Sequence, residues 1–213
     1  MNLFLDDSYQ TPAWFTQKKR SRRNFLKSAA GATGIVALPS LAISSKQQAQ
    51  LINLKKSDPW LTLEATLAHL LPESEVLKDL NAQNINALAY LHQVMTVQPT
   101  EPAEKAFILK GVSWLNDFSH SQQSKPFVQL SLSEKESILR EISNSRAGEN
   151  WLSTLLNYIF EAMLTPPAYG GNPDGIGWQW LEHQGGFPLP QEGQRYFELP
   201  PRSRVKTAQV KPK

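Results

Sequence analysis

Glu182 and His183 set a carboxylate beside an imidazole, the smallest pairing that can move a proton, in a stretch rich in glycine and aromatic residues. Such a pair needs a nucleophile, an orienting group or a metal before it does chemistry, and no recognisable motif supplies one. The other histidines stand apart. His69 and His92 fall in helical stretches without a ligand-type residue at helical spacing, so surface or capping roles suffice for them. His120 closes a helix, where a cationic side chain favours the dipole. The chain has no cysteine, which excludes thiolate zinc sites, iron–sulfur clusters, disulfides and covalent haem attachment to this chain. Neither a Gly-x-Ser-x-Gly elbow nor a supported Ser-x-x-Lys nucleophile is present. Gly175-Ile176-Gly177 lacks the third glycine and the preceding strand of a dinucleotide fingerprint. Asn172, Asp174 and Gly175 lack the further acidic ligands of a calcium loop. The residues therefore predict no catalytic, cofactor-binding or metal-binding set, with His183 the position left open.

The elements that would carry any site are helical. Asp58-Pro59 reads as an N-cap followed by proline at the first helical position, opening a helix with Trp60, Leu63, Leu67, Leu70 and Leu71 near helical spacing and Pro72 after it. A second helix is predicted over Asn81 to Met95, with Ile85, Leu88, Leu91 and Met95 on one face. Pro102 opens a third, lined by Ala106, Leu109, Val112 and Leu115 and widened by Trp114 and Phe118. Ser133 and Glu136 resemble a capping box before Ile138, Leu139 and Ile142. A fifth helix runs from about Glu149 to Leu164, apolar at Trp151, Leu152, Leu155, Leu156, Ile159, Phe160 and Met163. With short connections and no period-2 strand or Asn-Gly hairpin, the expected fold is all-α: a small bundle of about five helices. A glycine- and aromatic-rich irregular segment follows it, and then an extended, Pro-rich basic tail.

Charge and order divide the chain at residues 42 and 193. Residues 43–194 hold ten Lys/Arg against sixteen Asp/Glu, a net of −6, so the overall excess of +3 sits at the two ends. An acidic body argues against nucleic acid as a partner. At the N-terminal side, Ser21-Arg22-Arg23-Asn24-Phe25-Leu26-Lys27 precedes a weakly apolar run, Ser28 to Ala42, that ends in Ser40-Leu41-Ala42. A basic block, a modest apolar block and a small-residue exit, in that order, are the features of an export signal. Ser21, Arg22, Arg23, Phe25, Leu26 and Lys27 match the twin-arginine pattern, whose translocon carries folded cargo. The run is about fifteen residues, short of the ~20 a membrane-spanning helix needs. Ala42 is a candidate last residue of the signal, although retention is equally open. Twenty residues precede the motif, Asp6, Asp7 and Trp14 among them, more than export requires; a misplaced start or a segment read by a chaperone would account for them. The domains expected are thus 1–42, leader and signal; 43–193, a helical domain; and 194–213, a basic tail.

The string Tyr169-Gly170-Gly171-Asn172-Pro173-Asp174-Gly175-Ile176-Gly177-Trp178 is the most distinctive in the chain. It resembles the Tyr-Gly-Gly-Asn-x-Asp-x-x-Gly-Trp stretch of the small (gamma) subunit of gluconate 2-dehydrogenase, the subunit 3 family. Leu71-Pro72, Phe127-x-x-Leu130-Ser131-x-x-Glu134, Leu164-Thr165-Pro166 and Gly186-Phe187-Pro188 look similar to that family too, with Gln179 to Gly185 as extra length. The resemblance implies a noncatalytic subunit that accompanies an FAD-dependent large subunit of the glucose–methanol–choline type. A cytochrome c subunit with haem is the usual third member. It also implies that the signal of this chain carries the signal-less flavoprotein to the periplasm, where the assembly is membrane-associated. On that reading Tyr169, Gly170, Gly171, Asn172, Asp174, Gly175, Gly177 and Trp178 form a partner interface. The glycines would permit close approach and positive φ, Tyr169 and Trp178 would anchor, and Asn172 and Asp174 would cap the turn. Two other readings stay open: a standalone periplasmic binding protein using the 168–187 loop, and an enzyme using Glu182 and His183.

Overall fold

The computed structural model describes residues 4, 8–15, 53, 55–75, 80–185 and 189–199. Six α-helices are numbered here in chain order: α1 Trp60–Leu70, α2 Ala87–Thr96, α3 Pro102–Gln123, α4 Leu132–Ser143, α5 Arg146–Leu164 and the short α6 Ile176–Trp180. Three 3-10 turns, Phe127–Gln129, Pro167–Tyr169 and Pro173–Gly175, connect them, and no strand occurs among the described residues. The protein is all-α, as the periodicity predicts.

Local chemistry explains the boundaries. The Asp58 carboxylate accepts from the Thr62 backbone N–H (3.1 Å) and from its hydroxyl (2.6 Å), so it satisfies a free donor of the first turn of α1 although the helix starts one residue later than expected. The predicted start of α2 at Asn81 is too early. Asn81 Oδ1 accepts from the N–H groups of Gln83 and Asn84, folding a local turn, and Asn86 sits in the left-handed region at φ 55, so α2 begins at Ala87. Its predicted face is nonetheless buried at Ile85, Leu88, Leu91 and Met95.

The capping box of α4 lies two residues before the expected one. Ser131 Oγ accepts from the Glu134 N–H, and Glu134 Oε2 accepts from the Ser131 N–H at 2.7 Å. Glu136 instead faces His69, whose Nε2 lies 2.7 Å from Oε2, while Arg140 holds the other oxygen at 2.6 Å. That pairing ties α1 to α4 and keeps the Glu136 carboxyl below the usual range, chiefly through His69. His92 stacks its ring edge-on to Trp60 at 5.0 Å, and burial lowers its pKa.

The stripe of α3 is rotated from the predicted one. Ala106 and Leu109 face solvent, whereas Phe107, Ile108, Gly111, Val112, Leu115 and Phe118 are buried. On α5, Trp151, Leu152, Leu155, Ile159 and Met163 are buried as expected, together with Tyr158 and Ala162, but Phe160 is 54% exposed. Helix α5 is the hub: α1, α2, α3, α4 and α6 all pack against it.

The described residues near both ends of the chain pack on the helical domain. Phe4 is fully buried in the main core and Phe15 is 7% exposed, with Tyr9 and Trp14 packed beside them. Burial of a phenylalanine contributes about 1.5–3 kcal/mol. A division at residue 42 is therefore crossed by contacts from the leader to the helical domain. At the other end, residues 189–199, which include the first six of the expected tail, form turns, with Arg195 only 9% exposed. Residues 200–213 lie outside the described set.

Candidate functional site: a glycine-rich loop and the apolar end around it

Tyr169 to Trp178 is a chain of tight turns pressed against the C-terminal end of α5. Asn172 organises it. Completely buried at φ 51, it uses all four of its hydrogen-bonding groups. Its N–H donates to Ile85 O at 3.0 Å, and its carbonyl accepts from the Gly175 N–H at 3.0 Å. Nδ2 donates to Thr165 O at 3.1 Å, and Oδ1 accepts from the Gly177 N–H at 2.7 Å. One side chain thus joins the end of α5 to the start of α6. An amide so fully used is no calcium ligand.

The glycines divide the work predicted of them. Gly170 and Gly175 adopt positive φ (92° and 72°). Gly171 is buried against Ala162, and a Cβ on Gly177 would lie 2.2 Å from Met163 O, inside any tolerable contact with a helix backbone. Trp178 is buried, its Nε1 donating to Leu164 O at 2.8 Å. Tyr169 is also buried, and its hydroxyl accepts from the Tyr196 N–H at 3.1 Å. Of the eight residues expected at an interface, Tyr169, Gly171, Asn172, Gly175, Gly177 and Trp178 point into their own chain. Gly170 is half-buried and Asp174 is exposed, its carbonyl accepting from Gln179 Nε2 at 2.9 Å. These residues build the loop and set its outer surface without themselves forming most of it.

The terminal segment clamps the loop from outside. Arg195 pairs with Glu198, donates to Ala168 O at 3.4 Å, and reaches the amide oxygen of Gln93 at 2.8 Å, while the Gln93 amide nitrogen donates to Tyr169 O at 3.1 Å. The pairing holds the Glu198 carboxyl at a pKa of about 2, principally through its hydrogen bond from Arg195. A carboxylate depressed in the folded state contributes stability above its unfolded value that is lost as pH falls through the folded one. The clamp is expected to hold above pH 4.5 and to loosen between pH 4.5 and about 2. Proteolysis after Arg195, followed against pH, should accelerate over that window in the native chain and be fast at every pH in Glu198→Gln.

Exposed apolar side chains surround the loop alongside the exposed polar ones, Asp174 and Gln179 among them. Nine large hydrophobic side chains are exposed among the described residues, and all but Leu109 and Leu132 lie on segments that converge at this loop. Val97 follows α2, Phe160 and Leu164 lie on α5, Trp180 and Leu181 end α6, and Tyr196 and Leu199 belong to the terminal segment. Tyr196 connects three of these segments. Its hydroxyl donates to Gln98 Oε1 at 3.3 Å, next to Val97, and its pKa is raised by partial desolvation of that hydroxyl end and by the charges of Tyr169 and Glu161, the latter next to Phe160. Gly177 abuts Met163, and Trp180 and Leu181, three and four residues on, share its side of α6. Residue-by-residue reading missed this set because Phe160 fits a core stripe; the signal available was the spacing of Trp180 and Leu181 from Gly177.

Glu182 and His183 are exposed. The His183 N–H donates to Trp178 O at 2.8 Å, and its ring lies edge-on to Trp178 at 6.4 Å. Among the described residues, no group of three or more His, Asp or Glu side chains is placed to hold a metal. Ser21, Arg22, Arg23, Phe25, Leu26 and Lys27 lie outside the described residues.

The fold and site define a small all-α protein whose most elaborated feature is a rigid surface loop with apolar surroundings. A family model for gluconate 2-dehydrogenase subunit 3 matches residues 57–186, well over half the chain, and the protein belongs to that family of dehydrogenase subunits. No curated protein and no solved structure matches the chain.

Proposed function

We propose that this chain is the noncatalytic small subunit of a periplasmic, membrane-associated sugar or polyol dehydrogenase, assisting export and assembly of an FAD-carrying large subunit of the glucose–methanol–choline type. A cytochrome c subunit with haem is the expected third member, and the twin-arginine translocon is the route. The observation that carries this reading is the apolar end around the 169–178 loop in a member of a dehydrogenase-subunit family. Aromatic and aliphatic side chains gathered at one end of an acidic domain suit a protein partner, since exposed apolar groups of this kind mark interfaces. The twin-arginine residues support the export role, because that route takes folded cargo and a flavoprotein must load its cofactor before it crosses. FAD belongs to the partner, and this chain orients and escorts it.

Co-expression with an FAD-dependent large subunit of the glucose–methanol–choline type tests the proposal. A yellow complex should co-purify from periplasm, and with Arg22 and Arg23 both changed to Lys the flavoprotein should stay in the cytoplasm. Trp180→Asp and Phe160→Asp should each weaken the complex by about thirtyfold or more, the effect of removing an interface anchor, while the isolated subunit keeps its melting temperature. A flavoprotein that reaches the periplasm unchanged in cells lacking this chain, with the chain itself alone and monomeric there, would sink the reading in favour of a standalone binding protein.

A further inference from the structure

We propose that Phe4 and residues 8–15, which precede the twin-arginine motif in the chain, are a lasting part of the folded domain and stay docked on α3 and α5 after export. The export half of this statement rests on the proposed function; the docking half rests on the packing alone. Four aromatic residues make the contact. Phe4 sits edge-to-face on Trp114 (centroids 5.3 Å apart) and 5.8 Å from Trp151, with no exposed surface. Tyr9 stacks over Phe107 at 6.3 Å, and Trp14 meets the same ring edge-on at 5.8 Å. Phe15 packs against Trp14. A polar contact fixes the register between them: Asn150 Nδ2, on α5, donates to Thr11 Oγ1 at 3.0 Å.

An ordinary signal is removed from the mature protein. Here, loss of everything up to and including Ala42 would strip the cover from Phe107, Trp114 and Trp151 and leave a cavity where Phe4 had been. Offset and edge-on aromatic pairs at these separations are favourable beyond simple burial, and an uncovered aromatic groove is an aggregation liability. The length and aromatic content of this leader, excessive for an address, are what a packing segment requires.

The chain contains no cysteine, so a single engineered pair reports on the leader without interference. Thr11→Cys with Asn150→Cys is made in the full chain carrying a C-terminal tag, and the pair is joined by oxidation or a short bis-maleimide. The tagged protein recovered from periplasm should be crosslinked and should yield the peptide spanning residues 4–15 by mass spectrometry, whether or not the backbone is cut elsewhere. A periplasmic protein lacking that peptide, with the thiol at position 150 free, overturns the proposal. Retention of all the protein in the cytoplasm would instead sink the export reading, and crosslinking of the purified chain would then decide the docking by itself. Hydrogen exchange supplies a second readout. Deleting residues 1–15 should raise amide exchange across residues 107–115 at least tenfold or unfold the domain, and unchanged exchange overturns the docking.

Discussion

Asn172→Ala destabilises the domain by about 3–5 kcal/mol. The substitution leaves the Gly177 N–H and the half-buried Thr165 C=O without their partner, at about 1–2 kcal/mol per group. Alanine also carries the left-handed φ of 51 less readily than asparagine, a penalty of about 1 kcal/mol. Urea denaturation of the purified chain measures the loss. Asn172→Asp separates the contributions. It keeps the acceptor for Gly177 but loses the donor to Thr165 and places a carboxylate where no surface is exposed. At pH 7 it should be at least as destabilising as alanine, and it should recover as pH falls and the carboxyl takes up its proton, because burial disfavours the charged form. A change below about 0.5 kcal/mol for Asn172→Ala, within the range of an ordinary surface substitution, would mean that the loop is held by its glycine packing alone.

The second large effect is at Gly111, in the middle of α3. A Cβ there would lie 1.9 Å from Trp151 Nε1 and 2.2 Å from Cδ1, so the indole must move. It has little room to do so. Its Nε1 donates to Ile108 O at 3.1 Å, it is completely buried, and Phe4 lies 5.8 Å away. Alanine gains about 1 kcal/mol of helix propensity over glycine, but overpacking a rigid core costs about 1–3 kcal/mol and sometimes more, with a buried hydrogen bond broken besides. The net expectation for Gly111→Ala is a loss of about 2–3 kcal/mol, read by thermal unfolding and accompanied by a changed near-ultraviolet signal from Trp151. A stabilised variant would show that the α3–α5 contact is looser than these distances state.

How much of this was legible in the residues follows from what each part depends on. Helices α1 to α5 were readable because each buries a periodic face, and Pro59, Pro102 and Pro166 punctuate them. The face of α3 was misjudged for a physical reason: Gly111, which carries no hydropathy signal, is where Trp151 enters, so the contact surface turns toward Phe107 and Ile108 and away from Leu109. The displaced capping box shows a similar limit. Ser131 and Ser133 have equivalent residues at the required spacing, and only the exposed Leu132 inside the helix decides between them. The loop motif was visible as a string, but its direction was not. Tyr169 and Trp178 look like anchors for a partner because that residue type favours interfaces; whether such a ring points in or out depends on chain arriving from residues 195–197 and on α5 behind it. The docking of the leader was illegible for the same reason, since its ring partners lie about a hundred residues away in the chain.

The central position of α5 has a consequence for the order in which the protein comes into being. A ribosome adds about 5–20 residues per second, so roughly 4 to 17 seconds separate synthesis of Trp60 from that of Arg146. During that interval the first four helices have been made but lack the element that every one of them packs against. The apolar faces that α5 covers stay open until it emerges, and that is when a nascent-chain chaperone has most to hold.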